Sequence, residues 1–301
     1  MGSHFVKYVL EAYPTYRVVV LDKLTYAGNL DNLKEVVLNP RYTFVQGDIA
    51  DPGVLQKIFN EHPIEVVVNY AAETHVDRSV MDPTAFLKTN VFGVYHLLEA
   101  VRQFGVKRMI QISTDEVFGS IDVGAFTETS AFEPNSPYSA AKAGGDLLCR
   151  SYVATHNVPV IVTHSCNVYG PHQYPEKLIP LFITNLIEGK KVSLYGDGLN
   201  VREWIYVTDH CRAIDRIMHE GILGEVYNIG TGEEMTNRAI TLVVLSAMKY
   251  DKDMIEMVQD RPGHDRRYAI DHTKLTTKLG WQPDVRFEEG IRQTIEWYRK
   301  N

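Results

Sequence analysis

The stretch Val18-Val19-Val20-Leu21-Asp22 decides the fold, because a short β-branched run that ends in a turn-forming residue is typical of a buried strand. Similar runs recur at residues 42–45, 65–69, 108–112 and 160–162. A longer amphipathic stretch separates each run from the next, which is the alternation of a parallel sheet with helices on both faces. The sequence therefore predicts an α/β fold with a doubly wound, Rossmann-like parallel sheet.

Two prolines mark predicted helix starts. Pro52 and Pro83 stand where the first turn of a helix tolerates proline, and they predict helices of about 10 and 20 residues that run toward Glu61 and Phe104. A third long helix is predicted from about Pro137 to residue 156. These helices would cover the sheet.

The pattern changes beyond Cys166, where loops rich in Gly, Pro and Tyr separate shorter elements. This change indicates a second, smaller α/β lobe. We predict a first domain over residues 1–165, to which part of residues 201–230 returns, and a second lobe mainly over residues 166–301. A cleft between such lobes is a common place for a ligand.

Bulk composition excludes several classes of protein. The 301 residues are 45% hydrophobic, and 31 basic against 38 acidic residues give a formal charge of −7, which makes nucleic acid an unlikely partner. The three cysteines are few and widely spaced, so they favour a reducing compartment over a disulfide scaffold, and their spacing predicts no metal site. Without an apolar run of membrane-spanning length or a signal-peptide pattern, we expect a cytoplasmic protein.

Several strand ends suggest a dinucleotide. Asp22 closes its strand, and a carboxylate there can accept both ribose hydroxyls of NAD, although Asp also follows strands as a cap or turn residue. Gly2 lies 20 residues upstream at the head of an amphipathic helix, the spacing expected for the last glycine of a phosphate-binding turn. Residues 2–4 could equally be a tag remnant. Asp48 is placed to pair with an adenine edge, and the small side chains of residues 71–72 suit either a close cofactor or close helix packing.

Tyr138 and Lys142 lie four residues apart on a predicted helix, so their side chains share one face. A phenol is a poor base at neutral pH, but a nearby ammonium favours the phenolate. The simpler alternative is an exposed Lys beside a half-buried Tyr. The position of the pair, on a helix that would flank a cofactor cleft, favours catalysis.

The run Ser113-Thr114-Asp115-Glu116 follows the predicted strand at residues 108–112, at the edge where α/β sheets place their chemistry. Helix capping or a solvated loop would also explain two adjacent carboxylates and a hydroxyl. If their environments separate the two pKa values, however, the carboxylates can divide the roles of acid and base.

Together these residues resemble the dTDP-glucose 4,6-dehydratases, a family within the extended short-chain dehydrogenase/reductases. The resemblance runs from Gly2 to the C-terminus. It rests on Asp22-Lys23-Leu24-Thr25-Tyr26-Ala27-Gly28-Asn29, the run from Ala71 to Ser79, Ser113 to Gly119, Tyr138-Ser139-Ala140-Ala141-Lys142, and Asp260-Arg261-Pro262-Gly263-His264-Asp265.

The resemblance implies a three-step reaction for deoxysugar biosynthesis, for example of rhamnose. NAD takes hydride from C4 of the glucose while Tyr138, helped by Thr114 and Lys142, removes the hydroxyl proton. Glu116 then takes the C5 proton as Asp115 protonates the departing C6 hydroxyl. Hydride finally returns to C6. The product is dTDP-4-keto-6-deoxyglucose.

The resemblance also implies which residues contact each ligand. Arg202 has a physical reason of its own, since a guanidinium grips a diphosphate, although a surface salt bridge with Glu203 or Asp197 is the alternative. His264 could be an ordinary loop histidine. The implied NAD contacts are Gly2, Asp22, Lys23, Leu24, Thr25, Asp48, Ile49, Ala71, Ala72, Thr89, Tyr138, Lys142 and Val168. The implied substrate contacts are Thr74, Thr114, Asn167, Lys177, Leu178, Tyr195, Arg202, Asn237, Arg261 and His264.

Three further expectations follow from the resemblance. Members of the family form dimers through helices near residues 83–104 and 138–156, so we expect a homodimer. They also carry a buried strand and a Gly-rich turn ahead of the position of Gly2. Without these, we expect two exposed strand edges and weak NAD binding or an inactive chain. The alternatives to dehydration are a nucleotide-sugar 4-epimerase and a truncated, inactive nucleotide-sugar-binding protein.

Overall fold

The computed structural model describes all 301 residues. Its helices are α1 (Gly2–Ala12), α2 (Pro52–Glu61), α3 (Val76–Met81), α4 (Thr84–Leu87), α5 (Val94–Phe104), α6 (Pro137–His156), α7 (Leu178–Ile187), α8 (Val207–Glu220), α9 (Asn237–Met248), α10 (Thr273–Leu279) and α11 (Phe287–Lys300). Its strands are β1 (Val18–Asp22), β2 (Tyr42–Gln46), β3 (Val66–Asn69), β4 (Arg108–Thr114), β5 (Val160–Ser165), β6 (Asn167–Tyr169), β7 (Val192–Tyr195), β8 (Val201–Tyr206), β9 (Val226–Ile229), β10 (Glu234–Thr236) and β11 (Ile255–Val258).

The predicted parallel α/β fold is confirmed. Strands β1 and β2 pair in parallel, with Val18 opposite Tyr42, and β3 pairs in parallel with β4 inside a four-stranded sheet of order β3-β4-β5-β9. Strand β1 pairs only with β2, and β3 pairs only with β4, so the two sheets are separate. All five predicted strands occur within three residues of their expected bounds, and the largest difference is at the end of β5.

The chain forms two compact units, each built from three segments. The first unit comprises Met1–Ser113, Pro137–Thr163 and Ile214–Tyr227. The second comprises Thr114–Ser136, His164–Ala213 and Asn228–Asn301. The boundary at Ser113 and Thr114 falls at the end of β4, where the sequence carries its hydroxyl and carboxylate run.

In the first unit, helix α1 contacts both groups of strands. Its apolar side chains Val6 and Leu10 pack in one cluster with Val18 and Val20 of β1. On the same helix, the ring of Phe5 lies 5.7 Å from the ring of Tyr70, which directly follows β3. Burial of this amphipathic face explains why residues 2–12 are helical.

The predicted long helix after Pro83 is interrupted. Residues Lys88–Gly93 form a π-helical segment between α4 and α5, which the proline and apolar spacing did not predict. The buried Asn90 in this segment forms two hydrogen bonds with the main chain of Glu73. Its side-chain amide accepts from the Glu73 N–H and donates to the Glu73 carbonyl, both at 3.0 Å. The π segment thus holds the loop after β3.

The second unit has its own sheets and core. Strand β8 pairs with β6 in parallel and with β10 in antiparallel orientation, and β7 pairs with β11 in parallel. Apolar side chains of α7, α9 and α11 pack around the buried rings of Tyr169 and Trp204. This unit therefore buries a core without residues of the first unit.

Two further observations concern the chain as a whole. Cys149, Cys166 and Cys211 are all buried free thiols. None of the helices combines the length and apolarity that crossing a bilayer requires.

Candidate active site

In the first unit, Tyr138 and Lys142 lie on one buried face of α6. Lys142 is 5% exposed, and its Nζ donates to the carbonyl oxygen of Ile112 at 2.7 Å. The Tyr138 main-chain N–H donates to Ser79 Oγ at 3.1 Å, and its ring meets Phe86 edge to face. The alternative of an exposed Lys beside a half-buried Tyr is therefore wrong.

Residues 114–116 form the start of the second unit. Thr114 caps the short 3₁₀ turn Asp115–Phe118, because its Oγ1 accepts the Glu116 N–H at 3.3 Å. The same hydroxyl approaches Asp115 Oδ1 at 3.2 Å, whereas the buried Asp115 Oδ2 has no hydrogen-bond partner. The alternative of helix capping therefore explains Thr114. The alternative of a solvated loop is wrong for Asp115, which is only 1% exposed.

The two carboxyl groups have different electrostatic surroundings. Burial raises the pKa of Asp115 well above its ordinary value, and the charges of Glu116 and Glu203 add to the increase. Burial also raises the pKa of Glu116, but three cations oppose that increase, namely Arg202, Arg261 and Lys177. Both pKa values are therefore raised, and Glu116 has more cations opposing the increase than Asp115, on which Arg202 is the only cation that acts in that direction.

Arg202 is a buried cation of the second unit. Its guanidinium donates to the carbonyl oxygens of Val201 at 2.7 Å and Asp265 at 2.8 Å, and lies 4.0 Å from the centre of the Tyr268 ring. Asp197 pairs with Arg266 instead of Arg202. Glu203 accepts main-chain N–H groups of Thr231 and Gly232, and both Arg202 and Glu203 are buried. The alternative of a surface salt bridge is therefore wrong, and the contact of Arg202 with a ligand stays a prediction.

The other predicted substrate residues of the second unit occupy element ends. His264 Nδ1 lies 2.6 Å from Asp260 Oδ1, and its ring meets that of Tyr195, the last residue of β7, edge to face. Lys177 is the N-cap residue of α7, Leu178 begins that helix, Asn237 begins α9, and Asn167 begins β6. Val168, the predicted NAD contact of this unit, follows Asn167 on β6. Thr74, by contrast, belongs to the first unit, in the loop after β3.

The predicted adenosine contacts lie in the first unit. Asp22 ends β1, and its Oδ1 accepts the Leu24 N–H at 2.7 Å. Asp48 pairs with Lys23 at 2.8 Å and with Lys88 at 3.7 Å. Ile49, Ala71, Ala72 and Thr25 follow strands, and Thr89 lies in the π segment. Sequence reasoning missed Lys88, because its partner is 40 residues away in the chain.

These residues fit NAD chemically. Helix α1 begins at Gly2, and neither a side-chain cap nor an acidic residue in its first turn competes for an anion. The carboxylate of Asp22 suits ribose hydroxyls. The buried ammonium of Lys142 donates one hydrogen bond to the Ile112 carbonyl and has two other protons, which suit a hydroxyl of the second ribose.

Sequence reasoning also missed the residues that hold others in place. Asp265 accepts from Asn135 and from the Tyr268 hydroxyl, both at 2.6 Å. Glu203 accepts main-chain N–H groups of Thr231 and Gly232. Asp265 lies within the run that carried the resemblance, whereas Glu203 was considered only as a surface partner of Arg202.

Fold and site define a class. A Rossmann-type parallel sheet followed by a helix with a buried Tyr-x-x-x-Lys face is the arrangement of the short-chain dehydrogenase/reductases. The chain belongs to the GDP-mannose 4,6 dehydratase family, whose sequence profile matches residues 1–294.

Curated relatives and solved structures agree with this membership. A dTDP-glucose 4,6-dehydratase of Streptomyces antibioticus is 50% identical over 100% of this chain and 90% of its own length. The low-salt glycan biosynthesis protein Agl12 of Haloferax volcanii is 49% identical over 99% and 95%. DesIV, a dTDP-glucose 4,6-dehydratase of Streptomyces venezuelae solved with NAD bound, superimposes with a TM-score of 0.97 at 49% identity, covering 100% of this chain and 94% of its own. A UDP-glucose 4-epimerase of Thermotoga maritima superimposes with a TM-score of 0.92 at 34% identity, covering 99% and 95%.

Proposed function

We propose that this chain is a lyase that dehydrates dTDP-glucose to dTDP-4-keto-6-deoxyglucose with NAD as cofactor. The observation that carries the proposal is the pair of adjacent carboxyl groups, Asp115 and Glu116. Asp115 is buried beside other acids, which raise its pKa, whereas three cations oppose the pKa increase that burial causes for Glu116. Elimination of water needs one acid and one base of this kind. Relatives at 46–50% identity bear the same activity in their names.

The first proton transfer falls to Tyr138. Its phenolate takes the proton of the C4 hydroxyl. The ammonium of Lys142, four residues along α6, favours the phenolate form of Tyr138. The Thr114 hydroxyl donates a hydrogen bond to the C4 oxygen. Lys142 can hold its place because the carbonyl of Ile112 accepts one of its three protons.

The elimination falls to Glu116 and Asp115. A C4 ketone acidifies the C5 hydrogen, and Glu116 removes it because the neighbouring cations favour its carboxylate. Asp115, which burial keeps protonated, gives its proton to the departing C6 hydroxyl so that water leaves. Thr114 caps the turn that carries both residues, and its hydroxyl contacts the Asp115 carboxyl group.

The cofactor would be held by residues of the first unit and by Val168. Gly2 receives the pyrophosphate, Asp22 the adenosine ribose, and Asp48 and Ile49 the adenine, with Lys23, Leu24, Thr25, Ala71, Ala72 and Thr89 lining the remainder. When bound, NAD supplies the oxidation at C4 and the matching reduction at C6. The substrate nucleotide and sugar are assigned to Thr74, Asn167, Lys177, Leu178, Tyr195, Arg202, Asn237, Arg261 and His264.

An isotope experiment tests the assignment. The reaction is run in heavy water, and the product is examined by mass spectrometry and NMR. We expect deuterium at C5, because Glu116 exchanges the proton that it removes with solvent and returns a solvent-derived proton to C5 when C6 is reduced. Glu116→Gln should lower dehydration by about 10²–10⁴-fold and Glu133→Gln, a control in the same unit, should not. Product without deuterium at C5 would refute the role of Glu116.

The epimerase alternative is not favoured, although a UDP-glucose 4-epimerase shares the fold at 34% identity. Epimerisation needs Tyr138 and Lys142 but has no use for two adjacent acids. Incubation with UDP-glucose and dTDP-glucose separates the candidates. A 4-epimer of unchanged mass would support the epimerase, and loss of 18 mass units would support dehydration.

We also propose a cytoplasmic homodimer. Large apolar side chains are exposed in the segments expected to form the dimer, with Met81 80%, Phe92 58% and Leu147 51% exposed. A second copy would cover them. Sedimentation tests the proposal, since Phe92→Glu should yield a monomer and Leu38→Glu, at an exposed site outside these helices, should not. The free thiols favour the reducing compartment.

A further inference from the structure

Two consecutive residues at the end of β4 bind two successive charged side chains of α6. The Ile112 carbonyl accepts from Lys142 Nζ at 2.7 Å, and the Ser113 hydroxyl donates to Asp146 Oδ2 at 2.6 Å. Lys142 and Asp146 are 5% and 3% exposed. With Tyr138, they stand at intervals of four residues and therefore form one line along the helix.

The charges around Lys142 single out Asp146. On α6 itself, the groups that act on the Lys142 ammonium are the Asp146 carboxylate and the Cys149 thiol. From β4, it meets the main-chain carbonyl of Ile112. Helix α5 also packs on α6, but its carboxylate, Glu99, accepts from Tyr152 at 2.7 Å, more than two turns beyond Lys142. Burial lowers the pKa of Lys142, and Asp146 opposes that loss of charge.

We propose that Asp146, oriented by Ser113, is a positioning residue that keeps the buried Lys142 charged and in line with Tyr138. The inference rests on the proposed function, because it assigns Tyr138 the first proton transfer. Asp146 touches neither substrate nor cofactor in this role. It acts only through Lys142.

The direct test follows the titration of Lys142. Protein with ¹³C-labelled lysine side chains is titrated by NMR without substrate, and the Lys142 resonance is assigned by its loss in Lys142→Met. In Asp146→Asn, which keeps the shape of the side chain, we expect Lys142 to lose its proton about one pH unit or more below the wild type. An unchanged titration would overturn the proposal, whatever reaction the enzyme catalyses.

Kinetics supply a second readout. Asp146→Asn should lower kcat about tenfold or more at pH 7 and should regain activity as the pH rises, because the phenol of Tyr138 then ionises without help. KM for dTDP-glucose should stay within about twofold. Asp146→Glu should restore part of the wild-type pH profile. Failure of the wild type to dehydrate dTDP-glucose would instead refute the proposed function and leave the NMR result intact.

Two matched variants separate this role from a structural one. Glu99→Gln removes another carboxylate that clamps the same helix, so it should reduce stability without moving the Lys142 titration. Ser113→Ala keeps the Asp146 charge but removes its hydroxyl partner, and should shift the titration in the same direction by less. If Asp146→Asn does not fold, the test rests on Ser113→Ala. A Lys142 titration in that variant at the same pH as in the wild type would then overturn the proposal.

Discussion

Two adjacent glycines of α6 provide a controlled test of how tightly this helix packs. A Cβ added at Gly145 would lie 2.5 Å from the main-chain oxygen of Asn90, against 3.4 Å for ordinary contact, so α6 would have to move by about 0.9 Å. A Cβ at Gly144 would meet only a methyl group of Val91, at 3.2 Å. The oxygen is fixed by the π-helical backbone, whereas the methyl group can rotate.

The two alanine variants therefore differ mainly in this contact. Gly→Ala favours a helix interior by about 1 kcal/mol at either position, so that contribution cancels when the variants are compared. Overpacking costs about 1–3 kcal/mol. We expect Gly145→Ala to be less stable than Gly144→Ala by that amount.

Urea unfolding followed by circular dichroism measures the difference, provided that both variants unfold with the same m value. Hydrogen exchange localises it: the Glu73 N–H, which donates to Asn90, should exchange faster in Gly145→Ala and not in Gly144→Ala. Equal midpoints and equal exchange of Glu73 would refute the close approach of α6 to the π segment.

Three other variants test electrostatics and packing. Burial raises the pKa of Asp115, so the folded state holds a proton that the unfolded state releases above about pH 3.8, and the free energy of unfolding falls as pH rises. Asp115→Asn should therefore be more stable than the wild type at pH 7. Urea unfolding should show this difference shrinking toward pH 4. Arg202→Met should raise the pKa of Glu116 further and move the acid limb of the kcat profile to higher pH, whereas an unmoved limb would exclude Arg202 as its main partner. Tyr13→Phe, which loses hydroxyl contacts with Asp215 at 2.8 and 2.9 Å, should cost about 1–2 kcal/mol in the same unfolding assay.

The parts of the fold that the sequence predicts are those with local signals. Apolar runs and helix-compatible prolines predicted the five strands and the start of α2 because burial and backbone geometry act within a few residues. The π segment at 88–93 has no such local signal. It is stabilised in part by the hydrogen bonds between Asn90 and Glu73, which lies 17 residues away in sequence. The separation of the β1-β2 sheet from the β3-β4-β5-β9 sheet is equally non-local.

The candidate site was predictable in its residue types but not in its surroundings. The spacing of Tyr138 and Lys142 predicted a shared face, yet their burial depends on β4 and on Phe86, which come from other parts of the chain. Likewise, the Asp115 and Glu116 pair was visible as adjacent carboxylates. Burial raises the pKa of both groups, Glu203 adds to the increase for Asp115, and Arg261 and Lys177 oppose it for Glu116. These three residues are all distant from the pair in sequence.

Buried ionisable groups occur in both units, and different neighbouring charges act on them. In the first unit, burial lowers the pKa of Lys142, and the Asp146 carboxylate, one turn along α6, opposes that decrease. In the second unit, Asp115 lies among other acids and burial favours its neutral form, whereas cations offset the same effect for Glu116. Both carboxyl groups are buried, so the difference between them comes from the charges nearby, acids beside Asp115 and three cations beside Glu116.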